Sequence, residues 1–496
     1  MADTPVSKES IIEVTPVETV YNATKELPPA GSKTQLASRV EDDRSASTWA
    51  VLKENPRIVF WGSFTLFTCV LWGYDGLAGN IVVGIPQFRQ DFGVEYQHQW
   101  VIPAQWLLGF NGGGMASMFF GGLFAGWLLD KVGRRLSLAL ACVVSIGGVS
   151  AQYVAGRPAV FLVGKMITGF SLGLFLTIAP AYISEISPTI LRGAFLASVN
   201  FSIVLGQLLA QLVLKGASFH PGNKVYKILF AVQWGFSGLT LLGVAFMPES
   251  PWWLIHRGEH ERARDALRRL HRHGAVEQRL REISETITES LSGEKAKYAD
   301  CFHGTDLRRT LIAMAVFVIQ PLSGGPFVTG YQTYYLQLAG LPVGQTYTVT
   351  CANYAVMLIG NCIGMYLCER TGRRPAMLWG SFGLTILLIF IGVLGSIPVH
   401  ATLVLSNKAY LRIWKAVIGV IIAFTLPYMI NPDKANMGAK ICFVFLAFMI
   451  PLDIWSFYGF PELKGRSYME LDFLFHAGVK TRSFSKYIIP PPSSNC

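Results

Sequence analysis

Gly122-Leu-Phe-Ala-Gly126-Trp-Leu-Leu-Asp130-Lys131-Val132-Gly133-Arg134-Arg135 decides how this chain is read. An uncharged run with glycines four apart ends in a carboxylate and a short turn with three basic residues. Small residues at that spacing let helices pack closely in a bilayer. Lys and Arg just beyond an apolar run are retained on the cytosolic side. The pattern returns as Gly364-Met-Tyr-Leu-Cys-Glu369-Arg370-Thr371-Gly372-Arg373-Arg374, and the two carboxylates are 239 residues apart. The chain therefore carries an internal repeat.

Composition agrees. At 51% hydrophobic and 15% charged over 496 residues, the chain is too charge-poor for a soluble protein, where about 25% would be charged. Its 42 Lys+Arg exceed 31 Asp+Glu, but the basic residues sit in gaps between apolar runs. They are not clustered with aromatics on a soluble fold, so no nucleic-acid partner is expected. Eight cysteines at scattered spacing, among them Cys69, Cys142, Cys351, Cys362 and Cys442, make neither a disulfide framework nor a metal site. The polar first 56 residues hold no cleavable signal, and the sequon Asn22-Ala23-Thr24 is read as cytosolic.

A crossing needs about 20 apolar residues. Eleven such stretches are expected, at 57–82, 101–128, 136–155, 158–180, 194–214, 226–247, 310–334, 346–368, 375–396, 412–430 and 438–460. Basic residues collect in the gaps after the second, sixth and eighth, although Lys215 and Lys224 in the fifth gap dissent. Even gaps and the amino terminus are thus assigned to the cytosol. The expected organisation is a cytosolic tail 1–56, a first transmembrane half 57–247, a linker 248–308, a second half 309–460 and a carboxyl tail 461–496. The linker reads as surface helices at the membrane face, a solvated charged connector in preference to a regulatory site.

Two halves of parallel sense around a midplane site are one transporter plan, and with this repeat the chain resembles a sugar porter of the major facilitator superfamily. It is most similar to the fungal α-glucoside (maltose-type) permease group. Besides the two Gly-Arg-Arg turns, the resemblance rests on Pro180-Ala181-Tyr182-Ile183-Ser184-Glu185-Ile186-Ser187-Pro188 with Arg192-Gly193, on Pro248-Glu249-Ser250-Pro251-Trp252-Trp253-Leu254, and on Pro461-Glu462-Leu463-Lys464-Gly465-Arg466. It implies an all-α membrane protein of two six-helix halves in the cell membrane, moving a sugar with a proton by alternating access. No cofactor, metal or enzymatic activity is expected, since neither a nucleotide loop nor a nucleophile-base set is present. A monomer is the default, with the small-molecule substrate, protons and the lipid bilayer as its partners. Transport of a non-sugar metabolite, or a transport-inactive sensor or truncated product, remains open as an alternative.

The resemblance also assigns residues. Asp130, Arg134, Arg135, Glu185, Arg192, Glu249, Glu369, Arg373 and Arg374 would form cytosolic gates, although the basic residues also serve as orientation signals. An ionisable side chain inside a span is a functional candidate. Asp75 takes the place of the family's proton carrier and Lys165 that of its basic partner. At 1.5 Å per residue, both fall in the outer third, about 25 Å up the first span and about 10 Å down the fourth. For a sugar, amides and an aromatic wall suit the chemistry. Gln207 and Gln211 share one face of the fifth span, and Gln320 and Asn353 match family amides. Tyr331, Tyr334 and Tyr335 could form an outer gate. Buried amides also serve as plain interhelical glue.

One departure stands out. After the ninth span, the tenth span of the family and its cytosolic turn are missing, so about eleven spans are expected because part of the second half is absent. Eleven crossings would put Lys480, Arg482 and Lys486 outside, against the charge rule.

Overall fold

The computed structural model describes residues 48–96, 99–220, 222–271, 276–292, 341–396 and 442–461, with the short stretches 307–308, 310–312, 332–333, 336–337, 474–475 and 484. The chain divides into Met1–Glu54, in which the helix Thr48–Glu54 is described, and Asn55–Cys496, to which everything below belongs.

Helices α1 (Pro56–Ile81), α2 (Pro86–Phe92), α3 (Gly114–Val132), α4 (Arg134–Tyr153), α5 (Pro158–Ile186), α6 (Thr189–Ala217) and α7 (Lys224–Phe246) build the first half. Proline opens α1, α2 and α5, where its missing N–H costs nothing. Next come α8 (Pro251–His256), α9 (His260–Leu270) and α10 (Val276–Ser292), and later α11 (Val343–Thr371), α12 (Arg373–Ser396) and α13 (Cys442–Gly459). Among the described residues, seven helical stretches are long and apolar enough to span a membrane: Pro56–Gly84, Gln105–Val132, Arg134–Tyr153, Pro158–Ile186, Leu191–Ala217, Lys224–Phe246 and Val343–Leu367.

The first six expected spans each have a helix. The fourth runs past its expected end at 180 to Ile186, through Pro180, because packed neighbours inside a membrane protein can satisfy the backbone a proline frees. The ninth and eleventh are seen as α12 and α13. The expected spans 310–334 and 412–430 lie outside the described residues, apart from 310–312 and 332–333. A short hairpin, β1 (Val94–Tyr96) antiparallel to β2 (Gln99–Val101), joins the first two spans and was not legible beforehand.

Large apolar side chains point outward: Phe119, Phe120, Leu123 and Trp127 of α3 are all more than half exposed, as lipid-facing residues should be. With no hydrophobic gain from helix contact in lipid, close packing holds the spans together. A methyl group on Gly73 would strike the Ile203 carbonyl, and one on Gly206 the Val70 carbonyl. Those glycines let α1 and α6 touch backbone to backbone.

The repeat is visible in three dimensions. Gly133 and Gly372 both adopt positive φ, 90° and 100°, where glycine is unstrained. Two residues on, Arg135 donates to the Val244 carbonyl at 3.0 Å and Arg374 to that of Phe457 at 2.9 Å. Each arginine thus meets carbonyls in the last turn of the final helix of its half, where cations are favoured. Deeper in, Ser145 meets Ser237 at 3.3 Å, while Thr385 donates to Asp453 at 2.6 Å. Accordingly α12 and α13 run antiparallel, as α4 and α7 do.

In the linker, Ala263, Ala266 and Leu267 of α9 pack on Leu254 and Ile255 of α8 and on Leu280 and Ile283 of α10. Charged pairs such as Arg264 with Glu277, at 2.7 Å, lie on the wet side and add little.

Candidate functional site

Glu249 organises the end of the bundle that carries the Gly133 turn. Its carboxylate accepts the backbone N–H of Arg134 at 2.8 Å, of Arg135 at 3.2 Å and of Ser250 at 2.9 Å. A carboxylate from a distant loop therefore caps α4, satisfying amides its own sequence leaves unpaired. Burial raises the Glu249 carboxyl above its ordinary range, against the opposing pull of those three amides and the charge of Arg134. Arg134 forms an ion pair with Glu185 at 2.6 Å, and the Tyr182 hydroxyl donates to the Pro248 carbonyl at 2.9 Å. Arg135 also bonds the Ala245 carbonyl, so its guanidinium closes the end of α7.

The other gate candidates lie nearby or in the repeat's equivalent turn. The Asp130 side chain is exposed, and its carbonyl accepts the Trp253 indole at 3.0 Å. Arg192 is half-buried, with its Nε unpartnered among the described residues. Glu369 ends α11 and Arg373 begins α12 in the repeat's equivalent turn.

Within the bundle, Asp75 is 5% and Lys165 8% exposed. They are close enough to interact electrostatically, yet the ammonium of Lys165 is held elsewhere. It donates to the Gly79 carbonyl at 2.5 Å and to the side chain of Asn80. Lacking a side chain, Gly79 leaves room for the lysine, and the end of a helix suits a cation. Asp75 Oδ2 is unpartnered among the described residues. Asn80, one turn beyond Asp75, was missed in the sequence because an amide near a span end carries no signal of its own.

A polar seam joins the halves where α6 packs on α11. Thr350 donates to Gln211 at 3.2 Å. Asn353, three residues on and hence on the same side, donates to Gln332 at 3.0 Å. Gln207 lies one turn from Gln211. Buried atoms here lack partners among the described residues: Gln207 Oε1, Gln211 Nε2 and Gln332 Nε2. Unpaired buried amides are costly, so they suit a hydroxyl-rich ligand. Gln233 of α7 is likewise buried with both polar atoms unpartnered among the described residues. Gln320, Tyr331, Tyr334 and Tyr335 lie outside the described residues.

The outer end has a contact the sequence did not reveal. Arg89 of α2 donates to Gln337 at 2.7 Å, and Gln337 donates to the Gly84 carbonyl at 2.8 Å.

A bundle of long apolar helices with repeated Gly-Arg-Arg turns and a polar seam between halves is a multi-pass membrane transporter of the major facilitator fold. The model of one family, described as sugar (and other) transporter, matches residues 61–413, and the chain belongs to that family. It is 26% identical to the general alpha-glucoside permease of Saccharomyces cerevisiae, over 91% of this chain and 80% of that one. To the MFS transporter fmqE of Aspergillus fumigatus it is 26% identical, over 90% and 93%. Among solved structures, the xylose transporter XylE from E. coli in a partially occluded inward open conformation is similar at a TM-score of 0.61 and 19% identity, covering 83% of this chain and 100% of that one.

Proposed function

We propose that the chain takes up a sugar, an α-glucoside or hexose, with a proton across the cell membrane by alternating access of its two halves. The carrying observation is the seam of Gln207, Gln211, Gln332, Thr350 and Asn353, whose unpaired amide atoms match sugar hydroxyls. The named relatives, which include alpha-glucoside permeases, support the substrate class. Asp75 is the proton carrier: it is buried within the bundle with an unpartnered oxygen among the described residues. Lys165, its ammonium held at the end of α1, is the basic partner of Asp75 in this reading.

In this reading the conformer is closed outside and open inside. Among the described residues, the hydrogen bonds between halves are Thr350 to Gln211, Arg89 to Gln337 and Gln337 to Gly84, in the outer part of the bundle. The cytosolic bonds of Arg134, Glu185 and Glu249 stay within the first half. Asp130 and Arg192 take their gating partners in the opposite conformer, and Glu369, Arg373 and Arg374 are the corresponding gate of the second half.

The halves are 57–247 and 309–460, joined by the linker 248–308. Because Arg374 and Phe457 meet at one end of an antiparallel pair, an even number of crossings separates α12 from α13, and the carboxyl tail leaves on the cytosolic side. The seven described spans with α12 and α13, plus one through 310–334, make ten when nothing crosses between them. The match to the alpha-glucoside permease runs over 496 positions but uses 91% of this chain's 496 residues, so part of that relative has no counterpart here, as a lost segment requires.

The test is uptake of radiolabelled maltose and glucose into proteoliposomes under an inward proton gradient. Sugar uptake that requires the gradient and vanishes in Asp75→Asn supports the proposal; gradient-independent uptake, or none with any sugar, overturns it.

A further inference from the structure

Beside the first turn of α1 lies an open cleft of about 570 Å³, lined by Pro56, Arg57, Phe60 and Trp61 on one side and by Arg268 and Arg269 of α9 on the other. Three guanidinium-bearing residues line it, and among the described residues no carboxylate does. Arg57 donates to the carbonyls of Arg268 at 3.1 Å and His271 at 3.4 Å, where the end of α9 leaves them unpaired. Arg269 donates to the Phe246 carbonyl at 2.5 Å. Carbonyl acceptors orient a guanidinium without cancelling its charge. Arg268 does reach Asp265 at 3.4 Å, but these side chains are 64% and 71% exposed, so that pair neutralises little.

The remaining wall is aromatic. Phe60 is 62% exposed and meets Trp61 edge to face at 5.1 Å, while Trp61 meets Phe64 at 5.8 Å further into the span. Aromatic rings at the start of a span sit at the level of lipid headgroups. A charged fork above an apolar wall matches a phosphate above an acyl chain, since guanidinium binds phosphate in bidentate fashion. Orientation signals alone require neither convergence on one cleft nor an aromatic wall.

We propose that this cleft binds the phosphate of an anionic phospholipid, held by Arg57, Arg268 and Arg269 with its acyl chain on Phe60. The lipid braces the linker helix α9 against α1. This site is separate from the polar seam and does not depend on what that seam carries.

Native mass spectrometry of the full chain in neutral detergent, titrated with phosphatidic acid, tests it. Phosphatidylcholine is the zwitterionic reference and inorganic phosphate the soluble competitor. Phosphatidic acid should bind in preference to phosphatidylcholine. Each charge removed should weaken binding about fivefold, so Arg57→Gln with Arg268→Gln weakens it about 25-fold. Because Arg57 also ties α1 to α9, the exposed Arg268→Glu is the second variant. It should lose more than fivefold, whereas Arg268→Lys keeps most of the binding. Equal binding of the two lipids, or variants that bind like the parent, overturn the proposal. Displacement of phosphatidic acid by inorganic phosphate overturns the lipid as occupant and leaves a site for a soluble phosphate.

Discussion

Replacing Glu249 by Ala removes the acceptor of three backbone N–H groups, those of Arg134, Arg135 and Ser250. An unsatisfied donor costs about 1–3 kcal/mol. Glu249 is half-buried and water can reach part of the gap, so the lower bound applies to each donor. The expected loss is about 3 kcal/mol, or roughly 6–12 °C in the thermal midpoint at the sensitivity of a domain of about 200 residues. Glu249→Gln keeps an acceptor and drops a charge whose burial is unfavourable, and should lose less than about 1 kcal/mol. The pH dependence follows. With its pKa raised above the ordinary 4.5, the folded carboxyl holds a proton at pH values where the unfolded chain has released it. Its contribution is fully present below 4.5 and is lost as pH rises through the folded value. The assay is thermal unfolding of purified protein in detergent across a pH series, comparing parent, Gln and Ala forms. Equal midpoints for Ala and the parent would refute the capping argument. A Gln form as unstable as the Ala form would show that charge, not hydrogen-bond acceptance, matters.

Further outcomes are expected elsewhere. Gln211→Ala removes the Thr350 bond and an amide of the seam, and should raise the half-saturating sugar concentration about tenfold, the worth of one buried hydrogen bond; unchanged transport kinetics would remove Gln211 from the site. Gln337→Ala breaks both of its outer contacts and should make a cysteine placed near Gly84 react faster with an external thiol reagent. Asn80→Ala frees the ammonium of Lys165 from a partner and should shift the pH profile of uptake, while Asn80→Asp sets a carboxylate beside that ammonium and should shift it further. A tag after Pro461 should be protected from external protease in sealed cells, since Arg374 and Phe457 share the cytosolic end; cleavage of the tag in intact cells would contradict that.

Much of the bundle was legible because bilayer physics writes itself locally. A span must be long, apolar and helical to satisfy its own backbone, and so the first six crossings could be read off composition alone. The two Gly-Arg-Arg turns marked the repeat and suggested a side for a similarly local reason: charge retention acts on short stretches. Asp75 and Lys165 stood out as charges inside apolar runs, and Gln207 and Gln211 as amides one turn apart.

Contacts between distant segments were a different matter. No local pattern says that Glu249 caps a helix more than a hundred residues away, or that the ammonium of Lys165 rests on Gly79 and Asn80. Nor does it say that Gln337 closes the outer end against α2, or that Arg57 meets α9 across a cleft. Sequence by itself determined which segments are apolar enough to enter the membrane, because that depends on each segment's own free energy of transfer. Which polar groups find partners, and which are left facing the seam, was decided only when the helices packed. Those distances depend on crossing geometry and on close approaches such as Gly73 against Ile203, which no single segment encodes.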